Sequence, residues 1–332
     1  MAETITRNYK IDFLGKRSIA VGLSVILSLA AIVSLFVKGL NFAIDFTGGT
    51  VVEATYDNPP DLNAIRAQLE TAGFHGPTAQ HFGTARTVLI RLPPEANAEG
   101  APATEGTAKD AVAEDLGLAQ NDLKSRVSAA LNTDPAFKAT ITRVEFVGPQ
   151  VGDDLTESSI LALVLATIGI LVYVAWRFEY RFSLGAILAT LHDIIMIFGV
   201  FSFFQLDFDL SVLAAILAVM GYSLNDTIVV FDRIRENFRK YRRGEVIDVI
   251  NLSINETLSR TLMTSFLTFV TVLAMAVWGG EIIHNFAIAL IIGIAVGTYS
   301  SIYVASALAL RLGVSRADLL LPEKEGAVDT RP

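Results

Sequence analysis

Apolar side chains run almost unbroken over six stretches of the chain: Ser18–Val37, Ser158–Trp176, Phe182–Phe204, Leu210–Phe231, Thr261–Trp278 and Asn285–Leu310. Each is close to the about 20 residues a helix needs to cross a bilayer. Four of the six carry no charged residue, while the third contains His192 and Asp193 and the fourth Asp226. Lys16 and Arg17 stand before the first run, as in a signal peptide. A signal sequence has an apolar core of only about 7 to 15 residues, so this longer run is expected to be a retained spanning helix.

Between the first two runs the pattern changes to short alternations. Val51–Tyr56 reads as extended, Asp61–Ala72 as helical, Thr78–Phe82 and Thr87–Leu92 as extended, Gln120–Leu131 as helical and Ala139–Val147 as extended. The order β-α-β-β-α-β is that of a ferredoxin-like unit. Asp61 and Asn121 are predicted N-caps, and Gly73 a glycine closing the first helix. Pro93 to about Leu118 is rich in Ala, Glu, Gly, Pro and Thr, a composition that buries too little to order itself, and a flexible insertion is expected there. The predicted fold is therefore an α-helical membrane protein, six transmembrane helices with one α+β ferredoxin-like periplasmic domain between helices 1 and 2. Its expected parts are residues 1–38, the first helix; 39–157, the α+β domain; 158–310, helices 2 to 6 with a basic cytoplasmic segment at 232–260; and 311–332, a cytoplasmic tail.

Composition agrees with a membrane protein, since 52% of the 332 residues are hydrophobic and 18% are charged. The net charge of −8 sits in the long loop: Lys38 to Glu157 holds 9 basic and 17 acidic residues, the rest of the chain 17 of each. Orientation follows from the basic residues instead. Arg177–Arg181 has two arginines and Phe231–Arg260 seven basic residues, whereas Gln205–Asp209 and Gly279–His284 have none. By the positive-inside rule both termini are expected to be cytoplasmic and the large loop external. With no cysteine and four scattered histidines, no metal site or cofactor is expected. Nor is a nucleic-acid partner. His75 and His81 in the loop lie near no nucleophile or carboxylate at a recognisable spacing, so the domain reads as a binding module.

Asp226 is the one charge in the 22-residue run Leu210–Phe231. An aspartate at the centre of a spanning helix costs roughly 2.5–3.5 kcal/mol on insertion scales, which makes it a candidate functional group by default. His192 and Asp193 are neighbours pointing about 100° apart, so they are not expected to share a partner. Asp193 is expected to face the bundle interior near Asp226 or Thr227; His192 is either a second titrating group or a hydrogen-bonded packing residue. The motif Asn41-Phe42-Ala43-Ile44-Asp45-Phe46-Thr47-Gly48-Gly49 reads as a turn at a membrane exit, and Val147-Gly148-Pro149-Gln150-Val151-Gly152 as a stiff hinge at re-entry. Small residues at four-residue spacing, Gly185/Ala189, Ala214/Ala218 and Gly293/Gly297, permit close helix approach within the subunit or against a partner. Phe231, Ile234, Phe238 and Tyr241 repeat beside Arg235, Arg239, Lys240, Arg242 and Arg243, a basic amphipathic helix expected to lie on the anionic leaflet or to touch a channel.

The sixteen residues Gly221-Tyr222-Ser223-Leu224-Asn225-Asp226-Thr227-Ile228-Val229-Val230-Phe231-Asp232-Arg233-Ile234-Arg235-Glu236 are specific enough for a family reading. Here the chain resembles the SecF family, the smaller membrane subunit of the SecD–SecF complex of bacterial protein export, in the resistance-nodulation-division superfamily. The resemblance extends to the Asp45–Gly49 and Val147-Gly148-Pro149 motifs, the Arg177–Phe182 loop and the His192-Asp193 pair; only residues 93–118 look unlike the family core. It implies a six-span half-transporter of the bacterial inner membrane that pairs with SecD. The pair would use the proton-motive force to help unfolded chains clear the SecYEG channel, with YidC and YajC as further partners and no covalent catalysis. It also implies that Asp226 and Arg260 form the proton relay, with Asn225, Thr227, His192 and Asp193 as secondary candidates. From their position alone, Asp45, Gly48, Gly49, Gly148 and Pro149 are expected to form the hinge that transmits motion to the external domain. Helix geometry agrees with the pairing, because Asp226 lies about 10 Å of rise before Arg233 and Arg260 opens the next span, so both reach similar depth. Two other readings stay open: a small-molecule or lipid exporter of the same superfamily, and a passive scaffold of the translocon.

Overall fold

The computed structural model describes residues 3–4, 11–93, 123–133, 138–147 and 149–314. The predicted insertion beyond Pro93, the Asn121 cap, Gly148 and the tail from 315 lie outside the described residues. The chain divides into two compact units, Phe42–Leu161 and the remainder.

In Phe42–Leu161, a one-turn helix α2 (Ile44–Thr47) leads into strand β1 (Gly49–Tyr56). Helix α3 (Leu62–Thr71), strands β2 (Thr78–Phe82) and β3 (Thr84–Leu92), a helix α4 at 123–131 and strand β4 (Ala139–Val147) follow. The antiparallel sheet runs β2-β3-β1-β4, with Val52 opposite Ile90 on one side and Val144 on the other. This is the ferredoxin-like order. Alternation decides its inner face: Val52, Ala54, Tyr56, Val88, Ile90 and Leu92 turn toward Ile65 and Leu69 of α3 and Val127 and Leu131 of α4, and all are buried. Asp61 caps α3 by accepting from the Asn63 amide at 2.9 Å, and Gly73 leaves the helix at φ +93°, both as the residue types require.

The rest of the chain forms the spanning helices: α1 (Arg17–Lys38), the later part of α5 (Pro149–Arg177), α6 (Tyr180–Phe204), α7 (Leu210–Lys240), α8 (Val246–Trp278) and α9 (Glu281–Tyr299). The last continues through a π-helical turn, Ser300–Ala305, into α10 (Ser306–Arg311). Among the described residues these supply six helices long and apolar enough to cross a membrane. Over their most apolar stretches α6, α7 and α9 are at least half buried, whereas α1, α5 and α8 are less than a fifth buried and turn Leu, Ile, Val and Phe side chains outward. Such faces suit lipid or a second membrane chain.

Helix contacts depend on small residues. A Cβ added at Gly199 of α6 would lie 2.2 Å from Cβ and 2.8 Å from Cα of Ala31 on α1, and beside this contact the Ser34 and Ser202 hydroxyls meet at 3.0 Å. Gly293 and Gly297 of α9 meet Val219 and Ser223 of α7, and Gly185 lies close to the Ala305 carbonyl. Two of the three predicted small pairs are thus used inside the subunit. Ala214 and Ala218 remain exposed on α7.

The basic amphipathic segment departs from its expected place on a leaflet. Phe231, Ile234 and Phe238 belong to the unbroken α7 and are buried with Phe182, Val249 and Ile250. The reason is the short connection: α8 starts at Val246 and returns alongside α7, so protein covers the apolar stripe that lipid was expected to cover. Asn237 donates to Ser253 Oγ at 3.0 Å and Glu256 at 2.7 Å, and Arg233 pairs with Glu256 at 2.6 Å. Nearby, two asparagines one turn apart on α8 hold the approach to α1. Asn251 Oδ1 accepts from the Leu14 amide at 3.0 Å, and Asn255 exchanges bonds with both backbone groups of Ile11.

Candidate functional site

Helical periodicity places Val219, Met220, Ser223, Asp226, Thr227 and Val230 on the inward side of α7, all buried. Asp226 is 5% exposed and its Oδ2 has no hydrogen-bond partner among the described residues. Arg260, on α8, is close enough for its charge to act on this carboxylate, yet the two make no hydrogen bond through Oδ2, and Arg260 keeps an exposed side chain. Thr227 is buried beside Asp226, while Asn225 points to the outer side of the same helix.

Asp193, 1% exposed on α6, accepts a hydrogen bond from the Ser223 hydroxyl of α7 through Oδ2, three residues before Asp226. Its other oxygen meets His192 Nδ1 at 2.9 Å. As expected, the two neighbours share no third partner; His192 instead bonds Asp193 itself. The predicted position of Asp193 near Asp226 holds only indirectly, with Ser223 as the residue it reaches.

Four hydroxyl residues at this level escaped the sequence reading. Tyr222 donates to Ser265 Oγ at 3.1 Å, and Ser265 Oγ lies 2.7 Å from Thr298 Oγ1, tying α7, α8 and α9 together. Thr261, 1% exposed, has a hydroxyl without a hydrogen-bond partner among the described residues. A signal was present, since Ser253, Thr257, Thr261 and Ser265 recur every four residues and fall on one face of α8.

The two glycine motifs also meet. The turn Ile44–Thr47 ends at Gly48 (φ +67°) and Gly49 (φ +113°), conformations that favour glycine, before β1 begins. A Cβ on Gly152 would stand 3.0 Å from both Gly48 N and Phe46 O, so this backbone contact has no room for a side chain. Asp45 lies in the turn itself, and Pro149 opens α5, where a missing N–H costs nothing.

Residues 127–315 match the family of protein export membrane protein SecD/SecF, C-terminal, and residues 33–60, which include Asp45–Gly49, match the SecD/SecF GG motif. The protein translocase subunit SecF of Pseudomonas aeruginosa is 44% identical over 323 residues, covering 97% of this chain and 98% of that one. The chain belongs to the SecF family. SecF of Vibrio alginolyticus is 46% identical over 98% of each chain. The crystal structure of SecDF from Thermus thermophilus, a translocon-associated membrane protein, is 34% identical with a TM-score of 0.75. That match covers 93% of this chain and 39% of the SecDF chain, so the solved protein is much longer than the SecF part it shares with this one. As a member of the SecF family the chain is a multi-pass membrane protein and an accessory subunit of Sec protein export.

Proposed function

We propose that this SecF-family chain pairs with SecD in the bacterial inner membrane and couples the proton-motive force to the release of exported polypeptides from SecYEG, with Asp226 carrying the proton and Arg260 as its counter-charge. The observation that carries the reading is the Asp226 carboxylate: buried in a spanning helix, acted on by Arg260, and without a bond at Oδ2. A static ion pair would satisfy both partners, because an unpaired charge in a low-dielectric interior is costly. A carboxylate with a free oxygen has a cheaper neutral form available. Protonation removes the attraction to Arg260, and the proton biases the helix packing by its differential affinity for the two arrangements. Asp193 with His192 on α6, and Thr227 and Asn225 on α7, are secondary relay candidates.

Motion would reach the α+β domain through α5, which is continuous from Pro149 to Arg177 and is locked at Gly152 against the Phe46–Gly48 turn. Asp45, Gly48, Gly49, Gly148 and Pro149 would be the joint. The arginines near the ends of α5, α6 and α7 support cytoplasmic termini and a periplasmic domain. SecYEG, YidC and YajC are proposed contacts resting on the family resemblance, and the unfolded chain in transit is the proposed cargo.

For SecD the best-suited face is the outer stripe of α7, where Ala214, Ala218, Gly221 and Asn225 are all exposed at three- or four-residue spacing. Small residues let another helix approach closely in lipid, and an added Cβ at Gly221 meets nothing within 4 Å among the described residues. Gly221→Leu is expected to leave the chain folded but sharply reduce its co-purification with SecD; full co-purification would move the interface elsewhere. The function as a whole is tested by translocation into inverted vesicles with and without a proton gradient, comparing membranes that hold or lack the pair. Stimulation by the gradient only where the pair is present supports proton coupling. Equal stimulation with and without the pair leaves a scaffold.

A further inference from the structure

We infer that a single water, passing as hydronium when a proton moves, is held between α7 and α8 by Asp226 Oδ2 and Thr261 Oγ1, and that the Ser265, Tyr222 and Thr298 hydroxyls continue the path away from the basic end of the bundle. The inference rests on the proton-coupled reading of Asp226. Its first support is register. Tyr222 of α7 bonds Ser265 of α8, and the helices run antiparallel. One turn onward along α7 is Asp226, and one turn back along α8 is Thr261, which brings both to the same stretch of the interface.

The second support is how α8 uses its hydroxyls. A threonine in a helix ordinarily bonds the carbonyl one turn back. Thr257 does so at 3.0 Å, Thr264 at 3.1 Å, Thr268 at 2.9 Å and Thr271 at 3.0 Å. Thr261 is the exception in that series: buried to 1%, with Oγ1 bonded neither to its own helix nor to another side chain. Asp226 Oδ2 and Thr261 Oγ1 are two of the five buried side-chain polar atoms without partners among the described residues. Buried polar groups in native proteins are nearly always satisfied, and a buried water typically bonds two to four of them.

The charged and titratable groups facing this point are few. Arg260 comes from α8, Asp193 and His192 come from α6 through Ser223, and α9 is neutral from Asn285 to Tyr299. Ser265 then bridges Tyr222 and Thr298, and Thr298 donates to the Ile294 carbonyl at 2.7 Å; Thr298 must leave that carbonyl to hand its proton on as each hydroxyl accepts one proton and releases its own. In the step itself hydronium gives one proton to the Asp226 carboxylate, leaving water and a neutral carboxyl; the reverse transfer restores the carboxylate and hydronium.

The test uses the chain assembled with SecD in inverted vesicles, read as the ratio of translocation with and without a proton gradient so that differences in yield cancel. Thr261→Val keeps the shape and removes the hydroxyl, and it is expected to lose most of the gradient stimulation, with Thr261→Ser restoring it. Ser265→Ala is expected to reduce the ratio as well, and it stands in if Thr261→Val fails to assemble. Asp226→Asn is run in parallel. If that variant loses the ratio while Thr261→Val and Ser265→Ala keep it, the water site is wrong and the function stands. If Thr261→Ser loses the ratio as Thr261→Val does, packing rather than the hydroxyl matters and the inference falls. If Asp226→Asn keeps the full ratio, the proton-coupled reading fails and takes this inference with it.

Discussion

Asp226→Asn is expected to abolish stimulation of protein export by the proton gradient, bringing the rate down to that seen without a gradient, while the chain still inserts and pairs with SecD. Asparagine has nearly the same size and keeps hydrogen-bonding capacity, but it does not titrate. It also removes a charge that costs roughly 2.5–3.5 kcal/mol at the centre of a spanning helix, and Arg260, being exposed, is not left as a buried unpaired charge. Loss of function with unchanged assembly is therefore the signature of a proton carrier. A structural ion pair would behave differently, because neutralising one member leaves Arg260 unpaired and loosens the α7–α8 contact. Translocation into inverted vesicles, with SecD co-purification and detergent melting measured on the same preparations, separates the two outcomes. Export that remains gradient-stimulated in the variant would remove Asp226 from the mechanism.

Gly199→Leu is expected to destabilise the membrane unit more than any of the other single changes proposed here, by driving α1 off α6. Even one methyl group at Gly199 would be placed 2.8 Å from Ala31 Cα, which is backbone and has no rotamer by which to move aside. Overpacking a tight contact typically costs about 1–3 kcal/mol, and occasionally more. Separation would also break the 3.0 Å contact between Ser34 and Ser202 and leave two hydroxyls facing apolar surroundings. A fall in melting temperature of several degrees in detergent is expected, together with faster proteolysis near α1, and Gly199→Ala should show a smaller form of the same defect. Gly22→Leu is the control, since none of the described residues lies within 4 Å of a Cβ at Gly22. Equal melting of the Gly199→Leu and Gly22→Leu proteins would show that α1 yields at no cost.

Much of this was legible because the bilayer and the β-sheet impose periods that a linear chain displays. Six apolar runs announce six helices, and alternation in 51–56, 78–92 and 139–147 announces strands whose inner residues form one core. Asp226 was visible for the same reason, as a charge where lipid or protein surrounds every other side chain. The Phe231–Tyr241 stripe misled because an apolar face beside arginines fits a lipid surface and a neighbouring helix equally well, and only the return of α8 decides which of them covers it. The bond between His192 and Asp193 was not legible, because helical angles describe where side chains leave the backbone and not where a flexible ring ends.

Thr261 shows the boundary most clearly. Threonine is ordinary in a spanning helix, since its hydroxyl bonds its own backbone and asks nothing of the neighbours. The order of residues alone determined how many helices cross the membrane, which domain lies between the first two, and where a carboxylate had to be sheltered. The fold decided that Thr261 withholds its hydroxyl from its own helix, that Gly199 touches Ala31, and that Gly152 closes on the Phe46–Gly48 turn. The reason is physical: periodicity and transfer cost act within one segment and can be read along it, whereas a contact between segments depends on register and closest approach, which exist only after the helices have packed.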